Sequence, residues 1–123
     1  MEPNPTWDPE AYAETVETLA ALPDDVTVSV WGADWCGDCR GQLPDFAAAL
    51  DAAGIEGDRL AVYPVEREDG EKVGPKVEEY GIEFIPTVVV ERDGTELARF
   101  VEREDRPAAV YLADRLADET VTA

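Results

Sequence analysis

Residues 26–39, with the sequence VTVSVWGADWCGDC, decide the fold and contain the most reactive side chains. Val26 to Trp31 is rich in β-branched residues and predicts a strand. Gly32 to Trp35 predicts a turn, and the pattern from Cys36 to Ala52 is helical. The segment is therefore expected to be a strand that leads, through a short turn, into a helix that begins near Cys36.

Predicted helices and strands alternate on both sides of this segment. The helices are Asp8–Leu22, Gly74–Tyr80 (with a possible start near Glu71) and Arg106–Ala117, and the strands are Leu60–Val65, Thr87–Glu91 and Glu96–Val101. Arg67 to Gly70 is expected to be a polar turn.

The order of these elements restricts the topology. Helices between the first strands require parallel crossovers, whereas the Asp93-Gly94 turn requires an antiparallel hairpin. The sequence therefore predicts an α/β fold with a central mixed four-stranded sheet, possibly with an extra edge strand, flanked by helices on both faces. One domain is expected over residues 1–123, with its core at about 8–118.

The chain is strongly acidic. Its net charge is −19, from 29 acidic and 10 basic residues, and only Lys72 and Lys76 are lysines. Such a surface repels phosphates and anionic lipids, so neither a nucleic acid nor a membrane is expected as a partner. The acidity and the scarcity of lysine resemble proteins of salt-accumulating halophiles, in which salt screens the repulsion between carboxylates. The cluster Glu66, Glu68, Asp69 and Glu71 is interpreted as a solvated face.

The sequence shows no targeting signal. Residues 1–10 have no basic region and no apolar core, and no stretch approaches the roughly 18 apolar residues of a membrane span. A cytoplasmic monomer is therefore expected. In that compartment, a cysteine pair is more often catalytic or metal-binding than a structural disulfide.

The two cysteines, Cys36 and Cys39, have three possible roles. Their C-x-x-C spacing also occurs as half of a zinc site, but the chain has no histidine and no further cysteine. A pair of inert, buried cysteines is disfavoured because the motif adjoins a turn glycine and a strand end. The remaining role is redox chemistry.

The position of Cys36 at the start of a helix suits that chemistry. Free N–H groups and the helix dipole stabilise a thiolate there, and a thiolate is the species that attacks disulfides. Cys39 lies one turn later, where it can attack the mixed disulfide and release the product. Gly37 allows the tight bend between them.

Several motifs together resemble the thioredoxin family. They are Trp35-Cys36-x-x-Cys39 after an apolar strand, Pro44 in the following helix, and Ile85-Pro86-Thr87 before another strand, with Pro86 lying 50 residues after Cys36. Gly94 in the hairpin and the closing helix also agree with the family. The resemblance extends over roughly residues 8 to 118.

The resemblance implies a role for each matching residue. Cys36 would be the nucleophile and Cys39 the resolving thiol of an enzyme that reduces protein or small-molecule disulfides. Pro86 would follow a cis peptide bond and pack against the sulfurs, and the backbone of Ile85 would pair with the substrate.

The remaining residues around the motif would complete the docking surface. Trp35 would shield the sulfurs and contact the substrate, although it can equally be an ordinary core aromatic. Gly37 and Asp38 lie between the cysteines and would also contact the substrate.

The partners implied are disulfide-containing proteins and an electron donor. The donor would be a thioredoxin-reductase-like enzyme or a low-molecular-weight thiol, and no bound cofactor is expected. The alternative function is a non-catalytic binding or adaptor module with the same fold.

The chain departs from the usual family pattern at three positions. Val30 stands where thioredoxins carry a buried aspartate, Gly32 where they carry a tryptophan, and Asp38 where they carry a proline. The aspartate before the second cysteine resembles specialised thioredoxin-related proteins. As a functional residue, Asp38 should oppose thiolate formation at the neighbouring sulfurs through its charge and could act as a local base for Cys39. The alternative is a solvated acid in the first helical turn.

Overall fold

The structure is a computed structural model that describes residues 3–33, 36–102, 104 and 106–122, with side chains described as far as residue 117. Its helices are α1 (Ala13–Ala20), α2 (Gly37–Ala53), α3 (Val77–Tyr80) and α4 (Ala108–Thr122), with a short 3-10 turn at Gly57–Arg59. Its strands are β1 (Val26–Gly32), β2 (Leu60–Pro64), β3 (Glu66–Glu68), β4 (Glu71–Val73), β5 (Thr87–Arg92) and β6 (Thr95–Val101).

A mixed four-stranded sheet with the order β2-β1-β5-β6 forms the centre of the fold. β1 runs parallel to β2 and antiparallel to β5, and β6 returns antiparallel to β5 through the Asp93-Gly94 turn. The predicted α/β class is therefore confirmed, as is the parallel crossover through α2. The connection through α3 is different from the prediction, because it brings β5 back antiparallel to β1.

The strands of the sheet bury side chains on both faces. Because successive side chains of a strand point to opposite faces, Val28 and Val30 of β1 join one cluster and Trp31 joins the other. The helix-side cluster is covered by α1, α2 and α4, through residues such as Leu19, Phe46, Leu50, Leu112 and Leu116. The cysteine-side cluster consists of Trp31, Cys39, Val65, Ile82, Ile85 and Val89, with Val77 and Tyr80 of α3 packed against it.

Helix α2 carries the cysteine pair. Cys36 is its N-cap, in an extended conformation with φ −95° and ψ 121°, and the left-handed Gly54 ends it. The helix continues through Pro44, whose carbonyl accepts a hydrogen bond of 2.9 Å from the Asn4 N–H. The segment before α1 is thereby fastened to the middle of α2.

The segment between β2 and α3 differs most from the prediction. The polar turn expected at residues 67–70 is the tip of a two-stranded hairpin, and Glu71 belongs to its second strand instead of to a helix. Its strands are too short and too exposed to show an apolar alternation. The hairpin is held at its base, where a Cβ on Gly74 would lie 2.6 Å from the Pro64 carbonyl oxygen.

Two helices also differ in detail from the prediction. α1 begins at Ala13 instead of Asp8, because residues 9–12 form turns, and Tyr12 and Ala20 are exposed. In α4 the apolar pattern of the sequence favours Val110, Tyr111 and Leu116 as core residues, but only Leu116 is fully buried, and Val110 and Tyr111 are half-buried. Small residues complete the buried side beside Leu112 and Leu116.

Candidate functional site

Cys36 lies at the N-terminus of α2 and at the edge of the cysteine-side cluster. Its side chain is half-buried, and both cysteines are free thiols. The thiol donates a weak hydrogen bond of 3.7 Å to the carbonyl oxygen of Ile85. The sulfur of Cys36 is thus partly open to solvent and directly beside the segment that precedes Pro86.

Cys39 lies one turn further along α2 and is only 3% exposed. Burial raises the pKa of its thiol to about 12, against the smaller lowering effect of a hydrogen bond from the Ala33 N–H, which lies 3.4 Å from the sulfur. A hydrogen bond with the Cys36 side chain, the charge of Cys36 and the charge of Asp38 raise the pKa further. Cys39 is therefore protonated near neutral pH.

Gly32 makes room for the buried sulfur. A Cβ at this position would lie 3.5 Å from the Cys39 sulfur and 2.8 Å from Cδ1 of Leu43. A larger side chain would have to displace Leu43 or shift α2. The Gly32 carbonyl also accepts a 2.9 Å hydrogen bond from the Val65 N–H, which connects this strand end to the base of the hairpin.

The Ile85-Pro86 peptide bond is cis, as the resemblance implied. The turn around it is held from both sides: the Thr87 hydroxyl donates to the Phe84 carbonyl at 2.6 Å, and the Glu102 N–H donates to the Pro86 carbonyl at 2.7 Å. Ile85 is buried, whereas the neighbouring Phe84 is 49% exposed. The segment beside Cys36 is thus fixed in position and presents an apolar ring to solvent.

Three aromatic side chains pack together on the same face of the sheet as the cysteines. The fully buried Trp31 stacks on Tyr63 with ring centres 5.1 Å apart and lies 4.9 Å from the ring of Tyr80. Its indole N–H donates to the Pro75 carbonyl at 2.9 Å. Trp31 therefore joins β1, β2 and the segment around α3 immediately before the strand ends at the cysteine motif.

The structure brings together most of the residues that the sequence selected. Cys36, Gly37, Asp38 and Cys39 occupy the start of α2, and Ile85 contacts Cys36 with Pro86 next to it. Gly37 is exposed and Asp38 half-buried. Trp35 lies outside the residues that the structure describes. Val30 is fully buried in the helix-side cluster. Because this residue is a valine, its position supplies no carboxylate to Cys39.

Sequence reasoning missed the contributions of Trp31, Ala33 and Phe84. The available signal was Gly32 at the end of the strand before the motif, since a glycine in a strand often marks a close approach of another chain segment. The fixing of Trp31 by Pro75 and the Ala33 N–H bond depend on tertiary contacts that no local pattern reveals.

Within residues 3–33, 36–102, 104 and 106–122, no three side chains of His, Cys, Asp or Glu are grouped to hold a metal ion. Across the same ranges, no helix has both the length and the apolar character needed to span a bilayer.

These features define the class: a thioredoxin-fold protein with a paired-cysteine site. The family model described as thioredoxin matches residues 8–115, and the chain belongs to the thioredoxin family. A thioredoxin from Chlamydia trachomatis is 26% identical over 106 residues, which are 86% of this chain and 91% of that protein. Family and fold together support a thiol–disulfide oxidoreductase.

Solved structures agree with the fold. A protein of unknown function from Pseudomonas aeruginosa has a TM-score of 0.57 and 21% identity, covering 94% of this chain and 79% of its own. Oxidised mitochondrial thioredoxin 3 from Saccharomyces cerevisiae has a TM-score of 0.52 and 20% identity, with coverages of 87% and 89%. A mutant thioredoxin from Halobacterium salinarum has a TM-score of 0.50 and 26% identity, with coverages of 76% and 74%.

Proposed function

We propose that the protein reduces disulfides of proteins or small molecules by dithiol–disulfide exchange. In the first step the Cys36 thiolate attacks one sulfur of the substrate disulfide. A bond forms between Cys36 and that sulfur, the substrate S–S bond breaks, and the other substrate sulfur leaves as a thiolate.

In the second step Cys39 resolves the mixed disulfide. Its thiol loses a proton, its sulfur attacks Cys36, and the second substrate sulfur leaves as a thiolate. The substrate gains two electrons and the enzyme ends as the Cys36–Cys39 disulfide. A thioredoxin-reductase-like enzyme or a low-molecular-weight thiol would then return two electrons to the pair.

The difference between the two sulfurs carries this proposal. Cys36 is half-exposed beside Ile85, whereas Cys39 is 3% exposed and has its pKa raised to about 12. An incoming disulfide can therefore reach Cys36 first. A nucleophile must be both accessible and ionisable, and only Cys36 combines a helix N-terminus with contact to solvent.

The same contacts favour the order of the two steps. Burial is the largest cause of the raised Cys39 pKa and remains throughout, and the hydrogen bond between the two cysteines and the charge of Cys36 raise this pKa further. Both contributions end when Cys36 enters a mixed disulfide, because its sulfur then has neither a charge nor a proton. The pKa of Cys39 is expected to fall at the stage when its thiolate is needed, with the Ala33 N–H still in place to stabilise it.

The substrate is expected to dock across the exposed Gly37 and the Ile85-Pro86 segment. The fixed turn there places backbone groups beside the Cys36 sulfur, where an extended substrate chain can pair with them. Asp38 and Trp35 adjoin the same sulfur in sequence and are proposed as further contacts. The setting we propose is the cytoplasm of a salt-accumulating organism, with the protein as a monomeric single domain.

The decisive test is insulin reduction in molar salt with dithiothreitol as the electron source. The wild type should accelerate the reaction, and Cys36→Ser should abolish the acceleration. Cys39→Ser should instead accumulate mixed disulfides that a gel without reductant reveals, since attack proceeds and resolution fails. If neither substitution changes the redox behaviour of the folded protein, the chain is a binding module and not a reductase.

A further inference from the structure

Phe84 is the most exposed large apolar side chain in the part of the chain that the structure describes. It is 49% exposed, and the others that reach the surface are Val62 and Tyr12. Isolated apolar residues are common on protein surfaces, so exposure alone assigns no role to any of the three. Phe84 differs from the other two in its place, because the next residue, Ile85, contacts the sulfur of Cys36.

The backbone of Phe84 is held in place by the residues that follow it. Its carbonyl oxygen accepts the 2.6 Å hydrogen bond from the Thr87 hydroxyl, and the side chains of Ile85 and Thr87 are both buried. An aromatic ring turns about only two side-chain torsions, so its contact with a partner costs little conformational entropy. Phe84 therefore offers apolar surface on a backbone that is fixed before a substrate arrives.

Bond geometry limits the distance between Phe84 and the attacking sulfur. The Ile85 carbonyl oxygen lies 3.7 Å from the Cys36 sulfur. Standard bond lengths put the Phe84 Cα at most about 6.6 Å from that oxygen. The Phe84 Cα therefore lies within about 10 Å of the Cys36 sulfur.

We propose that Phe84 is a specificity-determining residue that contacts an apolar side chain two positions away from the reactive cysteine of a protein substrate. The inference rests on the proposed function, since the contact is made while Cys36 attacks that substrate. It adds a sequence preference to a reaction that the two cysteines alone would perform on any accessible disulfide.

The spacing of side chains along an extended substrate sets this position. Successive side chains point to opposite sides, and residues two apart lie about 7 Å from each other on the same side. The substrate cysteine has to point toward Cys36, and its sulfur comes to about 2 Å from the Cys36 sulfur when the mixed disulfide forms. The side chain two positions away therefore also points toward the enzyme, within the range of Phe84.

Salt favours an apolar contact over a charged one at this site. The chain has a net charge of −19, and in the salt-rich setting that we propose, the screening length falls to about 3 Å at 1 M. Charges beyond direct contact then attract or repel a substrate only weakly, whereas burial of apolar surface is not screened. An apolar residue of the substrate is therefore the group that Phe84 can recognise under those conditions.

The test uses two symmetric disulfides, each made of two identical peptides joined through their single cysteine. The peptides differ only at the positions two residues before and two residues after the cysteine, with leucine in one and the similarly sized, uncharged asparagine in the other. The measured quantity is the ratio of kcat/KM for the leucine disulfide to that for the asparagine disulfide, in molar salt. In F84S this ratio should fall by about five- to tenfold. The fall should come from a higher KM for the leucine disulfide with kcat nearly unchanged, because the contact holds the substrate without taking part in the exchange.

Three further variants serve as controls. F84L keeps an apolar side chain, and V62T removes apolar surface from β2, which β1 separates from β5; both should keep the ratio within about twofold of the wild-type value. F84Q, with a longer polar side chain, takes the place of F84S if circular dichroism shows that F84S does not fold. An equal ratio in the wild type and F84S would overturn the role of Phe84. A fall in F84L or V62T as large as that in F84S would overturn it as well.

A small disulfide, bis(2-hydroxyethyl) disulfide, distinguishes the failure of this inference from the failure of the proposed function. It has no side chain at the position that Phe84 would contact, and the wild type should reduce it as well as both peptide disulfides. If the wild type reduces none of the three, the proposed function fails and this inference fails with it. If the wild type reduces all three but any preference for leucine is independent of Phe84, only the inference about Phe84 fails.

Discussion

The two faces of the central sheet are covered by different kinds of structural elements. On the helix-side cluster, three helices of 8, 17 and 15 residues cover valines of β1 and β5 with aliphatic side chains and Phe46. On the cysteine-side cluster, the cover is the four-residue helix α3 and the segments that contain Val65, Ile82 and Ile85, packed around Trp31 and the Cys39 thiol. The two sulfurs belong to this second side, with Cys36 half-exposed at its edge and Cys39 buried within it.

This difference follows from the alternation of side chains in the strands. Val88 and Val90 face the helices, whereas Val89 faces the site. A strand buried on both faces is apolar at successive positions, as β5 is at Val88, Val89 and Val90. The larger cluster therefore lies away from the cysteines, and the smaller cluster positions them.

Replacing Trp31 should have the largest effect on stability. Trp31→Ala removes a fully buried indole, its two ring contacts and its bond to Pro75, and should cost about 3–5 kcal/mol in the free energy of unfolding. Leu116→Ala on the other face should cost about 2–5 kcal/mol. Urea unfolding in molar salt measures both changes.

Hydrogen exchange should distinguish these two variants. In Trp31→Ala, amides of the hairpin and of α3 should exchange faster than the loss of global stability explains, because their attachment to β1 is lost. In Leu116→Ala the increase should be uniform across the slowest amides. Uniform acceleration in both variants would show that the two faces are equally coupled to global unfolding.

Much of the helix-side cluster could be predicted from the sequence. Alternating β-branched residues in β1 and the apolar spacing of Phe46, Ala47 and Leu50 are local signals, and all three of these α2 residues are buried. The cysteine pair was equally visible, because its spacing and its position before a helix are both encoded locally.

The cover of the cysteine-side cluster could not be predicted in the same way. The β3–β4 hairpin has only three residue pairs and no apolar pattern, and its position depends on hydrogen bonds that join Val65 and Pro75 to β1. The sequence left a helix start near Glu71 possible, but pairing with Glu68 places this residue in a strand. Tertiary contacts decided these elements.

Gly32 and Gly41 offer a matched pair for testing the space around Cys39. Gly32→Ala puts a Cβ 2.8 Å from Leu43 and 3.5 Å from the Cys39 sulfur, and should cost about 1–3 kcal/mol. Gly41→Ala in α2 meets no atom within 4 Å and should stabilise the helix by about 0.5–1 kcal/mol.

The kinetic effect of these two glycine variants should also differ. Gly32→Ala should slow the resolving step, measured as the decay of a trapped mixed disulfide, because it disturbs the position of Cys39. Gly41→Ala should leave that decay unchanged. Equal decay rates in the two variants would mean that packing around Gly32 does not control the resolving sulfur.

Alkaline pH should destabilise the reduced protein through Cys39. Its pKa rises from 9.0 to about 12 on folding, so the native state binds more protons than the unfolded state between these values. Stability from this thiol is complete below pH 9 and is lost as the pH rises toward 12, with a loss of about 1 kcal/mol by pH 10. Urea unfolding with a phosphine reductant at pH 8 and pH 10 measures it.

The contribution of Cys39 can be separated from that of Tyr80. A hydrogen bond to Glu91 raises the pKa of Tyr80 from 10.0 to about 12, so this group loses stability only above pH 10. Cys39→Ser should therefore flatten the pH dependence between pH 9 and pH 10, and Tyr80→Phe should not. The opposite result would assign the alkaline loss to another group.

Replacing Asp38 should have the smallest effect, through its charge near Cys39. Its charge raises the pKa of Cys39, so Asp38→Asn should lower that pKa and speed the decay of the mixed disulfide a few-fold. Asp38→Glu retains the charge and is the control. If Asp38 is instead the base that takes the Cys39 proton, Asp38→Asn should slow the decay. The sign of the change decides whether this carboxylate opposes the resolving step or assists it.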